Sequence, residues 1–219
     1  AAKALQAASG CGLGASIQID KQIPVGGGVG GGSSDAASTL LGLNSLWKTG
    51  LGLAELADIG AQLGADVPVF IHGTAAFAEG KGEQLTPVEL STPWYLLLKP
   101  SCAVSTARIF SQQELTRNTS PIKIAAFLSG ATCIRNDCLP IVQKLYPEIR
   151  AAMDWLGAFS MPRLTGTGAC IFAEFKSEQD AKTVLQQVPK PWQAFVTQGV
   201  NTSPAHSDLV KYETEEKQV

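Results

Sequence analysis

Apolar and polar residues alternate in several short segments of this chain, and in other segments the apolar residues recur every three or four positions. Alternation is typical of half-buried strands, which we predict at 15–20, 74–79, 83–88, 94–99 and 195–200. The longer spacing is typical of amphipathic helices, which we predict at 34–47, 53–63, 106–112, 122–128, 139–145, 147–159 and 178–187. Strands and helices in this mixed order indicate an α+β fold.

A glycine-rich run separates the first predicted strand from the helix at 34–47. Between Pro24 and Asp35 it holds six glycines followed by Ser33 and Ser34. Glycine permits positive φ angles and a close approach of the backbone, so consecutive N–H groups can point at one bound anion. Either serine can cap the following helix, whose N-terminus adds about half a positive charge. Strand, loop and helix together predict a phosphate site.

Two common phosphate-binding motifs do not describe this loop. The P-loop places Lys and Ser or Thr directly after its last glycine, whereas Gly32 is followed by two serines and Asp35. Gly26, Gly28 and Gly31 match the dinucleotide-binding fingerprint, but a run of six glycines fits that pattern by chance. The acidic residue and second βαβ unit that should follow about 20 residues later are also missing from the sequence pattern. A flexible linker or a tight packing turn is the alternative, which the flanking strand and helix disfavour.

Two further segments carry candidate chemistry. Asp66 lies between Gly-Ala and Val-Pro, so few of its neighbours in the sequence can solvate it. It therefore either caps a helix or takes part in a reaction. A shorter Gly/Thr loop at 165–168 leads into a further predicted strand, in which we expect Cys170 to be a small core residue. By itself that loop predicts a tight β-turn.

The composition narrows the class of protein. The chain has 219 residues, of which 45% are apolar and 16% charged, and its net charge of −2 is typical of a soluble enzyme with one or two packed cores. Its basic residues are scattered, which argues against a nucleic-acid partner, and no apolar run approaches the roughly 18 residues of a membrane span. The five cysteines and two histidines include no C-x-x-C pair, which predicts reduced thiols rather than a zinc site. The cysteines are Cys11, Cys102, Cys133, Cys138 and Cys170.

Three motifs, in the order in which they occur, resemble the GHMP kinase superfamily. They lie at 23–37, 64–70 and 164–170, and the similarity extends from about Ala15 to Ser207. The resemblance implies a two-lobe α+β fold with the site between the lobes. We expect an N-terminal, ATP-binding lobe like ribosomal protein S5 domain 2 at 1–91, a ferredoxin-like C-terminal lobe at 92–207 and a tail at 208–219.

The resemblance also implies an activity. It indicates an ATP-dependent kinase of bacterial isoprenoid precursor synthesis by the non-mevalonate pathway, which phosphorylates the 2-hydroxyl of a cytidine-diphosphate-linked methylerythritol. The implied cofactors are ATP and Mg²⁺, the partner is this small molecule, and the protein is expected to be a cytoplasmic monomer or weak homodimer. Two alternatives remain: a GHMP kinase of the homoserine or mevalonate type, and a catalytically incompetent fragment that keeps nucleotide binding.

The same resemblance assigns expected roles to residues. Asp66 would accept or orient the proton of the attacking hydroxyl, and Ser33 or Ser34 would offer a hydroxyl to phosphate or Mg²⁺. No dedicated metal-ligating residue is predicted. The expected nucleotide-binding residues are Pro24, Gly26, Gly27, Gly28, Gly30, Gly31, Gly32, Ser33 and Ser34. The expected substrate-binding residues are Thr106, Phe110, Gly166, Thr167 and Gly168, with a core aromatic as the alternative for Phe110.

One departure from the family concerns the segment before the glycine-rich loop. Members carry there a Pro-Ala-Lys-Leu-Asn-type strand with the catalytic lysine and an Asp-Gly-Tyr-His-type turn, and this sequence has neither. Lys3 lies in a similar tetrapeptide, but its alanine-rich setting predicts a helix on which Lys3 is solvated. The sequence does not begin with Met. We therefore expect an incomplete N-terminal lobe and a chain that, as given, is inactive.

Overall fold

The computed structural model describes residues 1–80, 82–130 and 134–216. Lys81, which lies between the strands predicted at 74–79 and 83–88, is outside the described residues, as are Cys133 and the last three residues of the predicted tail. The helices are α1 (Ala2–Ser9), α2 (Gly31–Leu46), α3 (Leu53–Leu63), α4 (Val67–His72), α5 (Thr106–Phe110), α6 (Ile124–Leu128), α7 (Leu139–Leu145), α8 (Pro147–Gly157), α9 (Glu178–Leu185) and α10 (Pro204–Glu216). The strands are β1 (Ala76–Glu79), β2 (Gln84–Pro87), β3 (Trp94–Lys99), β4 (Pro162–Leu164), β5 (Ile171–Phe175) and β6 (Gln193–Gln198).

The chain divides into two compact units. The first consists of Ala1–Ile23, Gly30–Ser91 and Val200–Val219, and the second of Pro24–Val29 and Thr92–Gly199. The glycine-rich loop is thus divided after Val29. The lobe bounds expected from the resemblance, 1–91 and 92–207, remain a prediction.

The first unit is mainly helical. Apolar residues of α1, α2, α3 and α4 form one core, in which Leu5, Leu40, Leu56 and Ile71 are fully buried. The hairpin of β1 and β2, which pairs Ala76 with Pro87, confirms the strands predicted at 74–79 and 83–88. Leu209 of α10 packs against the core. Within the predicted tail at 208–219, the chain is helical as far as Glu216.

The second unit is built around a four-stranded antiparallel sheet in the order β4-β5-β3-β6. Helices α5 to α8 lie between β3 and β4 in the chain, and α9 lies between β5 and β6. This is the expected ferredoxin-like arrangement. Alternate residues of β3 and β5 are buried against α8 and α9, which explains the period of two in both strands. The α+β fold class is confirmed.

The predicted strand at 15–20 is wrong. Residues 10–22 are irregular, and Ile17 and Ile19 are about half exposed. A strand is stable only where a neighbour accepts its backbone hydrogen bonds, and within the described residues this segment pairs with none. The short helix α4 and the strand β4 were not predicted, because six and three residues are too few to show a period. None of the described helices is long and apolar enough to cross a membrane.

Candidate active site

The N-terminus of α2 begins directly at the glycine-rich loop. Gly30 precedes it with φ +72°, a left-handed conformation that favours glycine. The first intrahelical hydrogen bond runs from the Ser34 N–H to the Gly30 carbonyl oxygen at 2.9 Å. The N–H groups of Gly31, Gly32 and Ser33 therefore have no helical acceptor, and they can bind an anion. The predicted serine caps are wrong: Ser33 and Ser34 lie inside the helix, and no side chain caps it.

Side chains of the first unit surround the start of α2. A Cβ atom on Gly30 would lie 3.0 Å from the ring of Phe70, and one on Gly31 would lie 3.2 Å from Ile23 Cγ2. Lys21 Nζ would lie 3.5 Å from the same Cβ atom on Gly31, and it lies 2.5 Å from Asp35 Oδ2. The Lys21 ammonium is thus held beside the helix N-terminus by an ion pair with Asp35, whose carboxylate offsets its charge. Lys21 was not predicted from the sequence, because a single lysine before the glycine run forms no recognisable motif.

Gly32 differs from its neighbours in having free space. A Cβ atom there would meet nothing within 4 Å, and the residue is exposed. No protein atom therefore explains a glycine at this position. The room for an anion next to three free N–H groups fits the expected phosphate.

Asp66 occupies the N-cap position of α4. Its side chain makes no capping hydrogen bond, and the residue is exposed. The turn is closed instead by the Val67 N–H, which donates to the Gly64 carbonyl oxygen at 3.1 Å. A Cβ atom on Gly64 would lie 3.8 Å from Ser33 Oγ, so this turn lies beside the start of α2. The Asp66 carboxylate is accordingly not engaged in capping, which was the alternative to a chemical role.

The first half of the glycine-rich loop packs on the Gly/Thr loop of the second unit. The Gly27 carbonyl oxygen accepts hydrogen bonds from the Cys170 N–H at 2.9 Å and from Thr165 Oγ1 at 3.0 Å. A Cβ atom on Gly27 would lie 2.6 Å from Cys170 Sγ, and one on Gly28 would lie 2.7 Å from the Gly168 carbonyl oxygen. Side chains are therefore excluded at both glycines.

The Gly/Thr loop forms the predicted tight turn. The Thr165 N–H donates to the Cys170 carbonyl oxygen at 3.0 Å, and the Gly168 N–H donates to the Thr165 carbonyl oxygen at 2.7 Å. Gly166 and Gly168 have positive φ angles. Cys170 is buried as expected, but it lies just before β5 and not inside a strand. Burial raises the pKa of its thiol to about 11. Cys11, Cys102, Cys138 and Cys170 are free thiols.

Asn136, which was not predicted from the sequence, makes hydrogen bonds with the Gly/Thr loop. Its side-chain amide nitrogen donates to the carbonyl oxygens of Leu164 at 3.1 Å and Gly166 at 2.7 Å. Asn136 precedes the loop by about thirty residues. No local pattern in the sequence could have connected the two.

The expected substrate residues Thr106 and Thr167 are brought together. Their hydroxyl oxygens lie 2.9 Å apart and share a hydrogen bond. Phe110 ends the same short helix as Thr106, and 54% of it is exposed. The core-aromatic alternative for Phe110 is therefore wrong, while its role in substrate binding stays a prediction. Among the described residues, no group of three acidic, histidine or cysteine side chains could hold a metal ion.

Family models match both parts of the chain. The model described as GHMP kinases N terminal domain matches residues 1–74, and GHMP kinases C terminal matches residues 113–194. A 4-diphosphocytidyl-2-C-methyl-D-erythritol kinase of Ectopseudomonas mendocina is 57% identical over 209 residues, which cover 95% of this chain and 71% of the relative. The enzyme of the same name from Mannheimia succiniciproducens is 51% identical, over 95% of this chain and 68% of its own length.

Solved structures agree with these matches. A crystal structure of 4-(cytidine 5'-diphospho)-2C-methyl-D-erythritol kinase superimposes with a TM-score of 0.76 at 26% identity, over 90% of this chain and 76% of that one. A homoserine kinase from Cytophaga hutchinsonii superimposes with a TM-score of 0.54 at 16% identity, over 84% of this chain and 69% of that one, which shows the fold alone. The expected GHMP kinase fold is confirmed, and the chain belongs to the GHMP kinase family.

Proposed function

We propose that the protein transfers the γ-phosphoryl group of ATP to the 2-hydroxyl of 4-diphosphocytidyl-2-C-methyl-D-erythritol. One observation carries the phosphoryl transfer: three free N–H groups at the start of α2 lie beside the turn that holds the uncapped Asp66 carboxylate. The identity of the substrate is supported by relatives at 57% and 51% identity that are named 4-diphosphocytidyl-2-C-methyl-D-erythritol kinase.

The start of α2 would hold the phosphates. Phosphoryl transfer depends mainly on positioning and on neutralising the phosphate charge. The N–H groups of Gly31, Gly32 and Ser33 and the positive end of the α2 dipole supply fixed positive potential, and the Lys21 ammonium, which is paired with Asp35, lies nearby. Bound Mg²⁺ would neutralise further phosphate charge. It takes its oxygen ligands largely from phosphates and water, so the hydroxyl of Ser33 or Ser34 suffices as the protein's contribution.

Asp66 would act on the hydroxyl of the substrate. A carboxylate without a capping hydrogen bond has its oxygen atoms free to accept the proton of the attacking alcohol or to orient it. The role is that of a general base or an orienting group, and it requires the ionised carboxylate.

The second unit would bind the cytidine end. The exposed Phe110 ring offers a stacking surface for cytosine, and the paired hydroxyls of Thr106 and Thr167 offer polar contacts beside it. The exposed Gly166 would allow a close approach of the substrate to the backbone, whereas Gly168 is buried and would support the turn. We further propose a monomer or weak homodimer in the bacterial cytoplasm, since the relatives are bacterial enzymes.

A coupled assay of ADP release tests the function. The natural full-length protein is incubated with ATP, Mg²⁺ and, separately, 4-diphosphocytidyl-2-C-methyl-D-erythritol, homoserine or mevalonate. We expect ADP release only with the first alcohol, and phosphorus NMR of the product should place the new phosphate on the 2-hydroxyl. Preference for homoserine or mevalonate would overturn the substrate assignment, and absence of ADP release with all three would overturn the kinase.

A further inference from the structure

Asn136 makes hydrogen bonds with every polar atom of its side chain. Its amide nitrogen donates to the carbonyl oxygens of Leu164 and Gly166, the two residues that flank Thr165. Its amide oxygen accepts from the Cys138 N–H at 2.9 Å, immediately before α7. Because both neighbours of Thr165 are held by one amide group, the position of Thr165 relative to α7 is fixed on both sides.

Thr165 in turn contacts the glycine-rich loop. Its hydroxyl donates to the Gly27 carbonyl oxygen at 3.0 Å, and its carbonyl oxygen would lie 2.9 Å from a Cβ atom on Gly28. All of these residues belong to the second compact unit. A continuous series of hydrogen bonds thus runs from α7 through Asn136 and the Gly/Thr loop to the Gly27 peptide.

We propose that Asn136 is a positioning residue for nucleotide binding, which acts through Thr165 on the Gly27–Gly28 segment. This inference rests on the proposed function, because the glycine-rich loop is the expected phosphate site. Asn136 touches neither nucleotide nor substrate in this account. It sets the Thr165 carbonyl and hydroxyl groups against which the glycine-rich loop packs.

The chemistry of the amide group makes the proposal specific. An aspartate has nearly the same shape and can still accept from the Cys138 N–H. When ionised it cannot donate to the Leu164 and Gly166 carbonyl oxygens, and its charge repels both of them. Asn136→Asp therefore breaks the contact with the loop and keeps the contact with α7.

Asn201 offers a matched control in the first unit. Its amide nitrogen donates to the Leu90 carbonyl oxygen at 2.8 Å, and its amide oxygen accepts from the Leu90 N–H at 2.9 Å. Asn201→Asp removes the same kind of donor away from the Gly/Thr loop. Asn136→Asp loses two donated hydrogen bonds and Asn201→Asp loses one, so the control matches the chemistry of the substitution at a place away from the Gly/Thr loop.

Two measurements on the natural full-length protein test the proposal. Hydrogen exchange of the Cys170 amide, without nucleotide, reports the bond to the Gly27 carbonyl oxygen directly. In Asn136→Asp we expect this amide to exchange about tenfold faster, and the Kd for a non-hydrolysable ATP analogue to rise about tenfold, because both hydrogen bonds from Asn136 to the residues that flank Thr165 are lost. In Asn201→Asp both quantities should stay within about twofold, whatever its melting temperature.

Equal changes in the two variants would show that Asn136 only stabilises the fold, and the proposal would be wrong. If the wild-type protein bound no ATP analogue, the proposed function would be wrong. An unchanged rate of hydrogen exchange at the Cys170 amide in Asn136→Asp would refute the role of Asn136 alone. Should Asn136→Asp fail to fold, Thr165→Val removes the hydroxyl bond to Gly27 while keeping the shape of the side chain. In that case Thr165→Val must weaken nucleotide binding. Where Asn136→Asp does fold, the effects of the two variants on binding must be less than additive.

Discussion

The hydroxyl of Thr165 donates a hydrogen bond to the carbonyl oxygen of Gly27, which lies 138 residues earlier in the chain and 3.0 Å away. The Cys170 N–H donates to the same carbonyl oxygen, and Gly27 itself has no positive φ angle. Glycine is therefore required at this position for space, because Cys170 Sγ and the loop backbone occupy the volume that a side chain would need. The Gly27–Gly28 segment of the first family motif thus packs directly on the third motif.

Replacing Gly28 by alanine should cost more stability than replacing Gly26. Both glycines have φ angles near +74°, so alanine pays a similar backbone penalty of about 1 kcal/mol at each. At Gly26 the new Cβ would meet nothing, whereas at Gly28 it would overlap carbonyl oxygens of Gly168 and Thr165. We expect Gly28→Ala to lose about 2 kcal/mol more than Gly26→Ala in urea unfolding. Equal losses would mean that the loop packing contributes nothing.

Replacing Gly32 by alanine should weaken nucleotide binding without weakening the fold. Gly32 and Gly42 both lie in α2, and a Cβ atom at either position would meet nothing within 4 Å. Alanine is a better helix former than glycine by up to about 1 kcal/mol, so neither variant should melt earlier than the wild type. Only the Gly32 methyl group would stand among the free N–H groups, and we expect about tenfold weaker ATP binding by calorimetry. Unchanged affinity in Gly32→Ala would place the phosphate elsewhere.

Much of the fold could be predicted because local patterns determine it. The bounds of α3, β3 and α7 agree with the predicted segments, since each element buries several apolar residues in one core. Residues 15–20 show an equally clear alternation and form no strand. Alternation indicates that a segment could bury one face as a strand. The hydrogen bonds of a strand, however, depend on a neighbouring strand, which the local sequence does not specify.

The candidate site was predictable only where a motif is contiguous. The glycine run and Asp66 could be identified from their own neighbours in the sequence. Asn136 and Lys21 could not, because each is an ordinary polar residue whose importance arises from what the fold places beside it. The helix α10 was missed for a related reason: its sequence is mostly polar, and Leu209 is its one contact with the core that the described packing shows.

Asp66→Asn should remove catalysis and leave stability unchanged. The carboxylate makes no capping bond, and asparagine is an equally good N-cap residue, so the melting temperature should stay within a few degrees. Loss of a general base or orienting carboxylate should lower kcat by about 10²-fold or more, with little change in the KM for ATP. Asp58→Asn, an exposed position on α3, removes the same charge and should leave kcat unchanged. Near-normal turnover in Asp66→Asn would leave that residue without a chemical role.

Phe110 should affect the cytidine substrate and not ATP. Because 54% of the residue is exposed, Phe110→Leu should cost little stability. Loss of a stacked ring is worth about 1–3 kcal/mol per base, so we expect the KM for the cytidine substrate to rise about tenfold or more. Phe110→Tyr keeps the ring and should restore the wild-type KM. A KM that is equally high in both variants would argue against stacking.

The Cys170 thiol should remain protonated well above neutral pH. Burial raises its pKa to about 11, and a group with a raised pKa keeps its proton until the pH approaches that value. At pH 8 the thiolate fraction is then on the order of 10⁻³, and it grows about tenfold for each pH unit up to 10. The rate of alkylation by iodoacetamide, followed for the Cys170 peptide by mass spectrometry, should rise with that slope. In urea-unfolded protein the rate should level off near the ordinary thiol pKa of about 8.5.

Alkylated Cys170 should also lose nucleotide binding. The Cys170 sulfur lies against Gly27, so close that a Cβ atom on Gly27 would approach it to 2.6 Å. An added carbamidomethyl group must therefore displace Gly27 or the Gly/Thr loop, and the glycine-rich loop with it. Protein modified at pH 10, returned to pH 7.5 and freed of unmodified molecules should bind ATP at least about tenfold more weakly, while Cys170→Ala treated identically should not change. A rate plateau between pH 9 and 10 would contradict the buried thiol, and normal affinity after modification would contradict its contact with the loop.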